Sequence, residues 1–186
     1  MNQNSNRDLK RIQALYNMIP NLIWSLLNLI PISIFCYTLV NLKLFYIFLI
    51  VSIVPIFLPN SFFDKIQIGN TTSIYKKLGV HIINKVSQNG NIINGLIRRK
   101  FPDYKLINFQ SSSINRLLKQ TYIFEKFHFI MFLFFCLVTV YAITKNYFGW
   151  AIAISIANLA YNIYPNLLQQ YIRLKLQVYV KRLKSK

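Results

Sequence analysis

Two groups of residues have types and spacings that could do chemistry. Ser155, Asn158, Asn162, Asn166, Gln169 and Arg173 follow one another at intervals of 3, 4, 4, 3 and 4. On a helix that spacing lays all six along one stripe. Glu125 and His128 are three residues apart, so a helix puts them on one face as well. A carboxylate beside an imidazole can orient it and raise its basicity, and the imidazole can then take a proton from a hydroxyl nucleophile. Arg173 and the amides could hold an oxyanion or sugar hydroxyls. Each group also has a plainer reading. The stripe could be packing glue between membrane helices, at about 0.6 kcal/mol per contact. Glu125 could pair with Lys126 or Arg173 at the headgroup level, leaving His128 as an interfacial residue.

The elements that must position these residues are long and apolar. The chain has 186 residues, is 54% hydrophobic and carries 22 Lys+Arg against 4 Asp+Glu. The charges are segregated: residues 12–42, 44–63 and 146–172 carry none, and 127–144 hold only His128. Uncharged apolar runs of about 18 or more residues read as membrane spans. Four are expected, over about 18–40, 44–63, 127–144 and 147–172. They form one membrane domain, 1–186, of two tight hairpins turning at Lys43 and Lys145. Pro20 suits a helix start, and Pro31 should kink the first span. Spans 3 and 4 are antiparallel, so Glu125 and His128 come level with Asn166, Gln169 and Arg173.

Charge sets the orientation. The loop 64–126 holds 11 Lys+Arg and the tail 173–186 holds six, against one in each hairpin turn. The positive-inside rule puts the loop and both termini in the cytoplasm. Anionic lipid headgroups account for the basic residues, and nucleic acid is not an expected partner. Within the loop, Thr71, Thr72 and Ser73 can cap an amphipathic helix through Ile74, Leu78, Ile82, Ile83 and Val86. Ser87-Gln88-Asn89-Gly90 breaks it, and Ile92, Ile93, Leu96 and Ile97 form a second apolar face. Phe101-Pro102-Asp103-Tyr104 reads as a turn. Ser111, Ser112 and Ser113 can cap a helix that runs on into span 3. These helices either anchor the loop to the headgroup layer or build the floor of a lipid-facing site.

Much is excluded. Asp8, Asp64, Asp103 and Glu125 are the only acidic residues, in no DxD-type motif, which speaks against Mg²⁺-dependent phosphoryl transfer. Cys36 and Cys136 fall within expected spans and lack metal spacing. Walker, GxGxxG, GxSxG and HExxH motifs are missing. His81 reads as a surface residue of the loop. The first apolar run is too long for a cleaved signal and should stay in the membrane.

Several of these residues also resemble a known family. Asn162, Gln169, Tyr171, Arg173 and Leu176 stand at the spacing of an Asn-x-Pro…Gln-x-Tyr-x-Arg-x-x-Leu run. Pro59 and Phe63 match a Pro-x-x-x-Phe. Tyr75-Lys76-Lys77-Leu78-Gly79 is similar to a basic, glycine-containing loop start, and Glu125 with His128 to a Glu-x-x-His pairing. Over about residues 55–176 the chain resembles the bacterial glycosyl-4,4'-diaponeurosporenoate acyltransferases, small integral membrane proteins of carotenoid-ester synthesis. Tyr164 stands where that pattern has proline, with Pro165 displaced by one, and Leu174 replaces a second proline. The loop glycine Gly90 lacks the aspartate expected before it.

The expectation is thus an all-α protein of the bacterial cytoplasmic (inner) membrane, with a cleft between spans 3 and 4 roofed by the loop. It would move an acyl group from a thioester donor to a hydroxyl of a lipid-like or glycosylated acceptor. His128 would be general base and Glu125 its orienting partner; Asn158, Asn162, Asn166, Gln169 and Arg173 would bind acceptor or oxyanion. No metal or prosthetic group is implied. The alternative is a non-catalytic four-span protein, an accessory subunit or small transporter, whose stripe is glue.

Overall fold

A computed structural model describes residues 3–87, 90–102 and 111–184, and it is helical throughout with no strand among them. The helices are α1 (Gln3–Leu39), α2 (Leu42–Ile53), α3 (Asn60–Lys65), α4 (Thr72–Lys77), α5 (Val80–Val86), α6 (Asn91–Lys100), α7 (Ser111–Thr144), α8 (Phe148–Asn158) and α9 (Tyr164–Lys184). A 3₁₀ turn, Val54–Phe57, follows α2, and a π turn, Leu159–Ile163, joins α8 to α9. Gln88, Asn89, Asp103 and Tyr104, and the capping side chains of Ser111–Ser113, lie outside the described residues.

α7 is the central element, packed against α2, α8 and α9. Its 34 residues make it about 51 Å long at 1.5 Å per residue, so loop helix and apolar segment are one rod, as expected. Phe135, Val138 and Ala142 lie fully buried in a core with Ile32, Phe35, Ala151 and Ile154. α7 ends in a Schellman turn. Asn146 takes a left-handed φ of 60°, Tyr147 N–H reaches the Ala142 carbonyl at 2.8 Å, and Asn146 N–H reaches Ile143 at 3.0 Å. Gly79, at φ 75°, makes the corresponding left-handed stop between α4 and α5.

Four expectations about the spans are revised. Pro20 is interior to α1, because the helix starts at Gln3 rather than at the apolar run. Packing of Leu9 and Tyr16 against Ile93 and Ile97 of α6 supports that extension. The second apolar run is not one helix: α2 stops at Ile53, and Pro55 and Pro59, which have no N–H to give, bring a 3₁₀ turn and the short α3. α1 and α2 also do not pack along each other as a tight hairpin. α2 lies on α7, with Phe45 edge-on to Phe134 at 6.0 Å, while α1 lies on α6 and α8. The fourth run is split by the π turn and continues to Lys184, so the basic tail is helical up to that residue.

Among the described residues two helices, Arg7–Leu39 and Ile114–Thr144, are long and apolar enough to cross a membrane; Leu42–Phe57 is a shorter apolar segment. Large apolar side chains on α1 and α2 point outward, with Leu27 64% and Ile50 69% exposed. An apolar outer surface of this extent is compatible with a membrane location. The loop helices pack on the body: α4 and α5 on α9, and α6 on α1 and α5.

Candidate active site

The buried polar residues form two adjoining layers. The first is a charged knot. Arg173 of α9 and Glu125 of α7 are 0% and 1% exposed. Arg173 Nη1 donates to Glu125 Oε2, while Nη2 reaches Gln67 Oε1 at 3.2 Å and the Phe63 carbonyl at 3.4 Å. Nε faces Asp64 Oδ1 at 3.5 Å, and the Tyr122 ring covers the guanidinium at 4.4 Å. Gln170 Nε2 donates to Glu125 Oε1 at 2.8 Å, and the Tyr75 hydroxyl donates to Gln170 Oε1 at 2.9 Å. Tyr122 donates its hydroxyl to Asp64 at 2.7 Å. Burial pushes the Tyr75 phenol above its ordinary pKa. The knot ties α3, α4, α7 and α9 together, and its ionised groups are paired, as buried charges must be.

The second layer surrounds His128. Its ring meets Tyr161 edge-on at 5.7 Å between centroids, and the Asn162 amide and the Tyr161 carbonyl lie beside it. The π turn explains this arrangement. Pro165 has no N–H to offer the Tyr161 carbonyl four residues back, and its ring would clash there in a regular helix. A wider turn relieves the clash: Tyr164 N–H reaches five residues back, to Leu159. The Tyr161 carbonyl is left without that donor and lies near the imidazole. Three enclosed polar atoms here lack a hydrogen-bond partner: His128 Nδ1, Asn162 Oδ1 and Asn166 Oδ1. Asn162 is wholly buried. Its Nδ2 donates to Asn158 Oδ1 at 2.8 Å, and Asn158 in turn donates to the Phe132 carbonyl of α7 at 3.2 Å and to Cys136 Sγ at 3.5 Å.

The seven residues expected at a site therefore divide. His128, Asn158 and Asn162 line one seam between α7 and the π turn, while Asn166 stands one turn further on, on α9, with its Oδ1 enclosed. Glu125 and Arg173 meet each other instead. The expected Glu125–His128 couple is not formed, because Gln170 and Arg173 occupy both carboxylate oxygens. Gln169 is only half-buried, and Gln170 takes the inward place. Asn166, Gln170 and Arg173 follow at intervals of 4 and 3, so Gln170 fits the same helical face as the buried Arg173 as well as Gln169 would. Ser155 is exposed, and His81, expected at the surface, is half-buried with Nδ1 enclosed.

The family model of the glycosyl-4,4'-diaponeurosporenoate acyltransferases matches residues 59–182, two thirds of the sequence. The chain belongs to this family. No curated protein and no solved structure matches it. The acyltransferase family is that of a glycosylated carotenoid acceptor, so transfer of an acyl group to such an acceptor is the activity to be accommodated at family level. Several residues that carry the resemblance lie in or beside the knot: the Phe63 carbonyl accepts from Arg173, Glu125 pairs with Arg173, and Tyr75 lies against Tyr171 at 6.3 Å. Sequence reasoning missed Tyr161, Gln170, Asp64, Gln67 and Tyr122. A proline following a run of inward asparagines was the available sign of the π turn.

Proposed function

We propose that the family's acyl transfer takes place at the seam between α7 and the π turn, with His128 as general base. The unpartnered His128 Nδ1 and Asn162 Oδ1 carry this reading. Buried polar atoms left without a partner are costly, and those of His128 and Asn162, side by side, fit a place completed by substrate hydroxyls. The acceptor hydroxyl gives its proton to His128 as its oxygen attacks the thioester carbonyl. When the tetrahedral intermediate collapses, the C–S bond breaks and the imidazolium returns the proton to the departing thiolate. The Tyr161 carbonyl orients the imidazole, a role a backbone oxygen commonly takes toward histidine. Asn162 and Asn166 accept from neighbouring hydroxyls of the sugar. Asn158 is packing glue, since its amide is spent on the α7 backbone. Glu125 and Arg173 position rather than react, and Gln169 remains a candidate acceptor contact at the half-buried edge.

The reading places α1, α2, the apolar part of α7 over about 127–144 and the rod over about 147–172 in the cytoplasmic membrane, with both termini, the basic loop and the basic tail on the cytoplasmic side. The outward apolar faces and the charge asymmetry support it. His128→Ala and Asn162→Leu should each lower acyl-ester formation at least about a hundredfold, the usual worth of a general base. Ester is read by mass spectrometry of lipid extracts, and membrane protein level by immunoblot. A fall in protein level alone would identify the stripe as structural.

A further inference from the structure

A cleft opens along α1. It lies between α1 and the start of α7, with a volume of about 770 Å³. Its wall includes Lys10, Gln13, Asn21 and Ser25 from α1 and Arg116 and Gln120 from α7. Among the described residues two cations and no carboxylate line it. The polar residues Gln13, Asn17, Asn21 and Ser25 recur every fourth residue of α1, the spacing of one helical stripe. Further positive charge stands at this end: α6, which packs on α1, finishes in Arg98-Arg99-Lys100. One lining residue also approaches the reacting seam. Ser25 Oγ lies 3.5 Å from the Tyr161 hydroxyl, and the Tyr161 ring rests on His128. Positive charge at the mouth and uncharged polar groups inward are the pattern that receives a phosphate-bearing head and directs its attached chain onward.

We infer that this cleft is an anion site for the phosphate head of the acyl donor, held by Lys10 and Arg116, with the acyl thioester extending past Ser25 and Tyr161 to His128. The inference rests on the His128 reading for its direction, but not for the binding itself. α1 lies outside residues 59–182, so the site is built partly by a helix that the family match does not include. Two sources share the chemistry: a soluble phosphorylated carrier and an anionic phospholipid.

The test uses full-length protein in neutral nanodiscs. Coenzyme A is titrated by calorimetry in one arm. In the other, phosphatidylglycerol is added to the discs and the thermal midpoint is followed. Lys10→Gln/Arg116→Gln should weaken coenzyme A at least tenfold and remove its salt dependence, while His128→Ala leaves binding intact. A response to phosphatidylglycerol alone, abolished by the same double variant, assigns the anion site to lipid and overturns the donor assignment. No ligand sensitive to the double variant in either arm overturns the site itself. In turnover, the double variant should raise the donor KM with kcat retained. Failure of His128→Ala to reduce turnover, with coenzyme A binding still dependent on Lys10 and Arg116, would refute the His128 reading and spare the anion site.

Discussion

Glu125→Ala separates a positioning role from a catalytic one. Glu125 accepts from Gln170 and from Arg173, and Arg173 is 0% exposed. Removing the carboxylate strands a guanidinium whose remaining carboxylate, Asp64, is 3.5 Å away and half-exposed at 50%. Breaking a buried ion pair from one side typically costs about 3–5 kcal/mol. For a chain of this size that is a fall of roughly 6–20 °C in the thermal midpoint. The midpoint would be followed by circular dichroism in detergent, alongside ester yield per folded molecule. Replacing both partners removes the stranded charge, so Glu125→Leu/Arg173→Met should recover much of the lost stability. It should also keep measurable turnover, since neither side chain touches the seam at His128. The discriminating variant is Glu125→Gln, which retains an acceptor for Gln170. If it left the midpoint unchanged yet abolished ester formation, Glu125 would be part of the reacting machinery and the division of the polar residues drawn above would be wrong.

Two more predictions test the layers separately. Pro165→Ala supplies an N–H to the Tyr161 carbonyl and lets the π turn relax toward a regular helix; helical content should hold while ester yield falls at least tenfold, and an unchanged yield would mean the carbonyl does not orient His128. Tyr75, in the loop, has its phenol pKa raised by burial, so folding stability is fully present below the unfolded value near 10 and is lost as pH rises through the folded one. Tyr75→Phe should remove that alkaline decline in the thermal midpoint and cost about 0.5–1.5 kcal/mol at neutral pH for the lost bond to Gln170.

The sequence disclosed helices more readily than their partners. Apolar periodicity and the absence of charge identified α1, α7 and the final rod, because burial in a core or in lipid demands that composition whatever lies alongside. It could not disclose that α2 leaves α1 for α7, since both helices are apolar on most sides and nothing in their pattern selects a neighbour. The stripe was legible as far as Asn162, where a 3.6-residue period holds. Beyond it the same spacing admits either Gln169 or Gln170 before Arg173, and the structure turns Gln170 inward. The Glu125–His128 pairing failed for a different reason. Helical spacing fixes which residues share a face, but a carboxylate on that face goes to the strongest donor within reach, and a guanidinium from α9 outcompetes a neutral imidazole.

That competition also explains how the two layers serve each other. A glutamate and an arginine at the edge of an apolar bundle would each be expensive alone, and together they hold α7 and α9 in one register. The register brings the π turn opposite His128, so that the Tyr161 carbonyl and the Asn162 amide fall beside its ring. A transferase that must hold both an apolar acceptor and an acyl chain cannot line its seam with charges, because each would need its own partner in a dry environment. Keeping the charged pair next to the seam, where it fixes geometry, leaves the seam itself to neutral groups: one imidazole, two amides and a phenol. Those are the groups that can exchange hydrogen bonds with a hydroxyl substrate without an ion having to be desolvated first.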